Sequence, residues 1–350
     1  MDSVDHSQCS TTPTTVGKSD DLIAQAVRLA DDHLFPSALK VDESGSVPTG
    51  QLDRLAAAGM HSIFSPVDCG GLGVDQPTIL KILETIAGGC LTTAFVWTQH
   101  AGACRAAAGS AGPMRDSWAH SLATGEARGG VAFAHLLRPG TPLIQAEPVD
   151  GGWTFTGTAP FVSGWGHIDV VLTAARHGDD IIWALLDAAD STTLTSKRLR
   201  LAAVDSTVTA ELTFEDHTVP GDQVTHIESF DDWYSNYRTG LRTNGSLALG
   251  VTSRILRLLG PSSIDEDLAR AREWLDTASL DDMPAARANM TSLGVAASAA
   301  LVSSIGGSAM MADHQAQRLA REALFLLVQG QTPEIKRRHV ERFTRQSRST

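Results

Sequence analysis

Cysteine is scarce in this chain. Its 350 residues contain four, Cys9, Cys69, Cys90 and Cys104, with no Cys-x-x-Cys pair. That spacing encodes neither a disulfide framework nor a zinc site, and a reducing cytoplasm is the compartment it fits. Basic residues are also in deficit: 28 Lys and Arg stand against 40 Asp and Glu, a formal charge of −12, and apart from the basic turn at "KRR" near the end they are not concentrated. Binding a phosphate backbone requires concentrated cations, so nucleic acid is not expected as a partner. No uninterrupted apolar run reaches the ~18 residues of a membrane span. The start, "MDSVDHSQCSTTPTTVGKSDD", lacks the basic and apolar regions of a signal peptide. The expectation is a protein without membrane contact, whose residues 1–19 form a polar, disordered tail.

What is present falls into three textures. From 20 to 128, "DDLIAQAVRLADDHLF", "TGQLDRLAAAGM" and "QPTILKILETIAGGC" repeat apolar residues at i, i+3, i+4 and i+7 and predict helices. Asp20 or Asp21, Thr49 and Asp75 are candidate caps. The glycines of "PVDCGGLGVDQP" predict a loop. From 129 to 226, runs rich in Val, Ile, Thr and aromatics predict strands, with "DGG" and "GDD" as hairpin turns. From 227 to 350 helical periodicity returns. The fold class expected is α+β: a helical domain, a β-domain and a second helical domain, with no internal repeat.

Four segments in this order carry a resemblance: "LAAAGMHSIFSPVDCGGLGVDQ", "TGTAPFVSGWGHIDVVLTAAR", "LTFEDHTVPGDQV" and "IGGSAMMADHQAQRLAREALFLLVQGQTPEIKR". Together they resemble the acyl-CoA dehydrogenase family of flavoproteins over about residues 21–343. The resemblance implies an N-terminal helical domain, a middle antiparallel β-barrel and a C-terminal four-helix bundle, with FAD between the last two. It implies a homodimer or tetramer joined through the bundle, and an acyl-CoA or acyl-carrier thioester as substrate.

Carried over residue by residue, the resemblance places the Phe161 ring beside the flavin, the Ser163 hydroxyl near its N5, and the Val162 and Ser163 backbone at its polar edge. Leu137, in "HLLRPG", stands where a threonine usually bonds the pyrimidine edge, which leaves backbone or apolar contact there. Gly306 and Gly307 permit close approach of an adenosine or pyrophosphate, and Thr332 matches a cofactor-side threonine. The Arg-x-x-Phe-Gly loop of tight FAD binders is replaced by "LLGPSSIDEDL", and the usual glutamine before the Gly-Gly turn is Ser303. FAD is then expected to be held differently, loosely, or with help from another chain.

Removing a proton beside a thioester carbonyl calls for a base. Gly330 stands where the usual catalytic glutamate is expected, and the alternative positions around Thr239, Gly240 and Leu241 are not acidic. The weak candidates left are His100 and Asp232, with Glu228, Asp231, Glu334 and His135 behind them. Histidine titrates near neutrality, whereas acidic residues before a helix more often serve as caps. His100, Arg242 and Gly330 are the candidate substrate contacts. Three functions follow: an acyl thioester dehydrogenase with an unconventional base, or one supplied by an intact family member in a hetero-oligomer; a flavin monooxygenase or oxidase, toward which "PFVSGWGHIDVV" leans; or a non-catalytic partner subunit.

Overall fold

Helix α4 (Gln76–Gly89) starts where Asp75 accepts a hydrogen bond from the Thr78 amide at 3.0 Å, the cap expected from the sequence. It ends in two glycines because another backbone comes in against them. A Cβ on Gly250, in α8 (Leu241–Leu259), would overlap the Glu84 carbonyl oxygen, and one on Gly88 would lie 2.9 Å from the Gly250 carbonyl. The N-terminal and C-terminal helical layers therefore meet backbone to backbone. Arg254 Nε donates to the Gly88 carbonyl at 2.7 Å, and Arg272 makes a bidentate pair with Glu84 at 2.5 and 2.6 Å across the same seam.

The computed structural model describes residues 13–344. Its N-terminal layer holds α1 (Pro13–Arg28), a π-helical turn, α2 (Phe35–Ser44), α3 (Thr49–Ala57), α4, α5 (Leu91–Gly109) and α6 (Pro113–Thr124). α1 begins at Pro13, so the tail expected over 1–19 is helical in its last residues; residues 1–12 lie outside those described. Asp20 and Asp21 accordingly sit inside a helix rather than capping one. Thr49 is likewise the first residue of α3, with Pro48 at its N-cap.

The middle layer holds β1 (Gly129–Ala132), β2 (Ile144–Val149), β3 (Gly152–Val162), β4 (Val170–His177), β5 (Asp180–Asp187), β6 (Leu194–Arg198), β7 (Ala210–Pro220) and β8 (Val224–Ser229). Both turn signals are hairpins, β2 to β3 and β4 to β5. Strand order is β6-β7-β3-β2-β4-β5-β8, with β1 beside β4. The antiparallel barrel expected from the sequence needs correction. β1 pairs with β4 in parallel, β2 touches β4 in parallel, and no ladder joins the edge strands β6 and β8, so the sheet is mixed and open. Strand texture in a sequence reports burial, not the direction of the neighbour.

The C-terminal layer holds α7 (Phe230–Thr239), α8, α9 (Ile264–Thr277), α10 (Met283–Ile305), α11 (Gln315–Val328) and α12 (Pro333–Thr344). Helices α8 to α11 form the bundle, with α10 at its centre in contact with α8, α9, α11 and α12. At 23 residues α10 is long and apolar enough by composition to cross a membrane, although Arg287, Asn289 and several hydroxyl residues interrupt it. Buried α5 residues join two cores. Leu91, Ala94 and Trp97 pack with the two helical layers, and Ala103, Cys104 and Ala107 pack with β4, β5 and Trp233 of α7.

Candidate active site

β3 ends abnormally. The pairing with β7 shifts register between Ala159 and Val162, and Phe161 takes a left-handed backbone with φ +62°. For a bulky residue this costs ~1–3 kcal/mol and is tolerated where the surroundings impose it. Alternation breaks just before this residue, where Ala159 and Pro160 are both buried; Phe161 is then 51% exposed and Val162 fully buried. The Arg138 guanidinium stands 5.6 Å from the Phe161 ring centroid, so the turn carrying Leu137 and the end of β3 come together. Ser163 is buried, and its hydroxyl shares a hydrogen bond with Thr209 Oγ1 at 2.7 Å. It keeps capacity for one further bond.

Beside this turn is a cavity of about 260 Å³ between the loop Leu136 to Pro142 and Phe230. Arg138 and Arg176 flank it, and His135 lines it with neither ring nitrogen hydrogen-bonded. Burial drives the His135 pKa down to about 4. Beyond Phe230 an aromatic wall continues along α7. Trp233 lies 5.6 Å from Phe230, Tyr237 lies 5.4 Å from Trp233, and Phe133 sits 6.1 Å from Trp233 and 6.2 Å from Tyr237.

The wall leads to Gly330. α11 stops at Val328, Gln329 is extended, and Gly330 adopts φ +59°, a turn that glycine makes without strain. Where a glutamate was expected to stand, a Cβ on Gly330 would lie 2.8 Å from Asn244 Nδ2 and 3.3 Å from the Tyr237 hydroxyl. Gln329 Nε2 donates to Asn244 Oδ1 at 3.2 Å, and Gln329 Oε1 accepts from Arg287 Nη2 at 3.0 Å. Arg287 is 1% exposed and pairs with no carboxylate among the described residues. Burial lowers its pKa to about 10, and burial raises that of Tyr237 to about 12. Near neutral pH the locus thus holds a cation, a neutral phenol and two amides, and no carboxylate is among the groups met there. Gly330→Glu must force a left-handed backbone on an L residue and push Asn244 aside. We expect it to lower stability by ~1–2 kcal/mol in denaturant titration; an unchanged midpoint would show that the loop relaxes freely.

Other expected residues lie elsewhere. His100 is buried in α5, accepting at Nδ1 from the Gly129 amide (2.9 Å) with Nε2 on the Leu122 carbonyl (2.8 Å). It ties α5, α6 and β1 together as a neutral ring and has no nitrogen left for a substrate. Asp232 lies in the first turn of α7 beside its N-cap: its amide donates to Ser229 Oγ, and that hydroxyl donates to Asp232 Oδ2 at 2.7 Å. It is exposed and bonded to the Ser229 cap. Arg242 pairs with Asp276 at 2.6 Å and bonds Ser246 at 3.0 Å, which commits it to joining α8 and α9. Thr332 is buried, and its hydroxyl accepts from the Ile335 amide at 3.3 Å, capping α12. Gly306 and Gly307 are open, with nothing within 4 Å of a Cβ on either. They follow the C-terminal end of α10, ~27 Å along its axis from Arg287, so one chain does not assemble them with the Gly330 locus. Arg138, Tyr237, Asn244 and Arg287 were missed in the sequence; only the segment "HLLRPG" around Arg138 stood out, through its neighbour Leu137.

Against known proteins, the family described as "Acyl-CoA dehydrogenase, N-terminal domain" matches residues 18–126. A cyclohex-1-ene-1-carbonyl-CoA dehydrogenase of Syntrophus aciditrophicus is 37% identical over 76 residues, 21% of this chain and 18% of that protein. A mitochondrial short-chain specific acyl-CoA dehydrogenase of Bos taurus is 22% identical over 237 residues, 65% of this chain and 56% of that one. The matched segments thus span little more than half of these curated relatives at most. In three dimensions, a glutaryl-CoA dehydrogenase from Mycobacterium smegmatis in complex with FADH2 superposes with a TM-score of 0.79, covering 93% of this chain and 94% of that one at 15% identity. Residues 18–126 thus match the N-terminal domain of acyl-CoA dehydrogenases, and the chain as a whole shares their fold. The acyl-CoA dehydrogenase fold accounts for its order of helical layer, sheet and bundle, with the aromatic wall of α7 between the last two.

Proposed function

We propose that this acyl-CoA dehydrogenase homologue is an FAD-dependent oxidoreductase acting on an acyl thioester. The observation that carries the reading is Phe161, a strained and half-exposed aromatic ring at the end of β3. A planar ring system stacked on it would remove its apolar surface from water. The residues present fit a flavin: Phe161 would stack against it, Ser163 has a bond to spare, the Leu137 turn adjoins, and Gly306 and Gly307 are open to its distal part or to that of a second subunit. Bound there, the flavin would supply the hydride acceptor. Arg138 and Arg176 flank the cavity by Phe230 and suit an anionic carrier, either CoA or a carrier-protein arm.

The α-proton is the open step. With His100 and Asp232 committed to structure, α,β-dehydrogenation requires an unconventional base or one from a partner subunit. The carboxylate-free Gly330 locus favours a second reading on the same scaffold, a flavin monooxygenase or oxidase that needs no such base. The test is the absorbance spectrum with and without added FAD. A yellow protein bleached anaerobically by an acyl-CoA supports dehydrogenation, and one bleached only by a reductase that then consumes oxygen supports the second reading. A colourless protein that takes up no FAD overturns both and leaves a non-catalytic subunit.

Association through the bundle is part of the proposal. Leu324 and Val328 lie one turn apart on the outer side of α11, 55% and 62% exposed, and Val340 and Phe343 of α12 are likewise exposed. Leu324→Lys with Val328→Lys is expected to halve the mass in light scattering without changing the helical signal; an unchanged mass places the interface elsewhere. Cys69, Cys90 and Cys104 are all free and buried. Unpaired thiols accord with the cytoplasm we propose as its compartment.

A further inference from the structure

The Gly330 locus is richer in hydrogen-bond donors than an aliphatic acyl chain can use. The Tyr237 hydroxyl and Asn244 Nδ2 converge on it, and neither has a hydrogen-bond partner among the described residues. Asn244 cannot turn its oxygen inward, because Oδ1 is held by Gln329 Nε2. Gln329 cannot turn either, because its Oε1 is held by Arg287. The buried Arg287 cation thereby orients two amides in series so that an N–H2 faces the locus. Arg287 Nε is itself unpartnered, which adds a positive field without a counter-charge. Tyr237, Asn244 and Gly330 are all only partly buried, so the donors are within reach of a ligand.

Resting on the thioester reading, we propose that Tyr237 and Asn244 bind an oxygen substituent of the acyl group, so that the substrate is an oxygenated acyl thioester, hydroxylated or carboxylated close to the thioester carbonyl. A thioester carbonyl alone offers two lone pairs, whereas the phenol and the amide present three donor hydrogens and Arg287 adds a positive charge. Donors left unpaired by a bare methylene are costly, and for that reason sites built around a substrate oxygen reject analogues that lack it.

The experiment is equilibrium binding to the FAD-supplemented full-length protein, by calorimetry, of butyryl-CoA, 2-hydroxybutyryl-CoA, 3-hydroxybutyryl-CoA and malonyl-CoA. At least one oxygenated thioester is expected to bind about tenfold to a hundredfold more tightly than butyryl-CoA. The 2-hydroxy, 3-hydroxy and carboxylate arms identify which oxygen is read. Tyr237→Phe and Asn244→Ala, each checked for an unchanged circular dichroism spectrum, should bring that ratio toward one, and either variant suffices if the other does not fold. Equal binding of butyryl-CoA and all three analogues overturns this inference while leaving the thioester reading intact. A preference that survives both variants overturns it as well. Binding of none of the four overturns the CoA form of the thioester reading, and this inference with it.

Discussion

Acidification from pH 7 to pH 5 is expected to remove about 6 kcal/mol of stability, through three histidines that fold as neutral rings. His61, His100 and His135 are 1%, 1% and 2% exposed. Burial lowers their pKa values to about 2, about 4 and about 4, from 6.5. For a group whose folded pKa is depressed, the unfolded chain binds the proton first. The stability is therefore complete above pH 6.5 and is lost as the pH falls toward the folded values. At pH 5 each ring contributes a loss of ~2 kcal/mol, against a total of ~5–15 kcal/mol for an ordinary domain. His61 and His100 compound the effect, because their rings meet edge to face at 4.7 Å and two protonated rings would repel. Circular dichroism at fixed ionic strength should show unfolding near pH 5. His135→Leu, which takes away one of the three terms, should move the midpoint to lower pH. A parent protein still folded at pH 4 would contradict the neutral assignment.

The second large effect is expected from α11. Arg318 and Glu322 are 2% and 3% exposed and form an ion pair one helical turn apart. Gln315 Oε1 accepts from Arg318 Nε at 2.7 Å, and the guanidinium also faces the Phe35 ring at 5.8 Å, so the cation is held where water does not reach it. Glu322→Ala leaves that cation uncompensated and should cost ~3–5 kcal/mol. Replacing both residues, Arg318→Met with Glu322→Leu, removes two desolvated charges together and should recover most of the loss. Thermal melts of Arg318→Met, Glu322→Leu and the double variant form the necessary cycle, with Glu322→Ala measured beside them. A Glu322→Ala protein that melts with the parent, or a double variant worse than either single one, would refute it.

Much of the architecture could be read before any coordinates. The helix, strand, helix order needs only periodicity, and the Asp75 cap and both hairpin turns are local chemistry within a few residues. The reading failed where local rules compete with distant partners. His100 has the residue type of a base, but the Gly129 amide and the Leu122 carbonyl claim both its nitrogens. Asp232 and Thr332 look like site residues until their neighbours show the first bonded to the Ser229 cap of α7 and the second capping α12. The open sheet depends on which strands become neighbours, a choice that burial texture does not encode.

By itself, then, the sequence determined the class of fold, the family resemblance and the absence of an acidic side chain at Gly330, because each is a property of residue types in order. Only the tertiary structure decided what stands in that place. Tyr237, Asn244, Arg287 and Gln329 come from three different elements and the end of a fourth, α7, α8, α10 and the close of α11. No periodicity or motif links them; they meet because a glycine with positive φ turns the chain between α11 and α12 and leaves no Cβ to keep them apart.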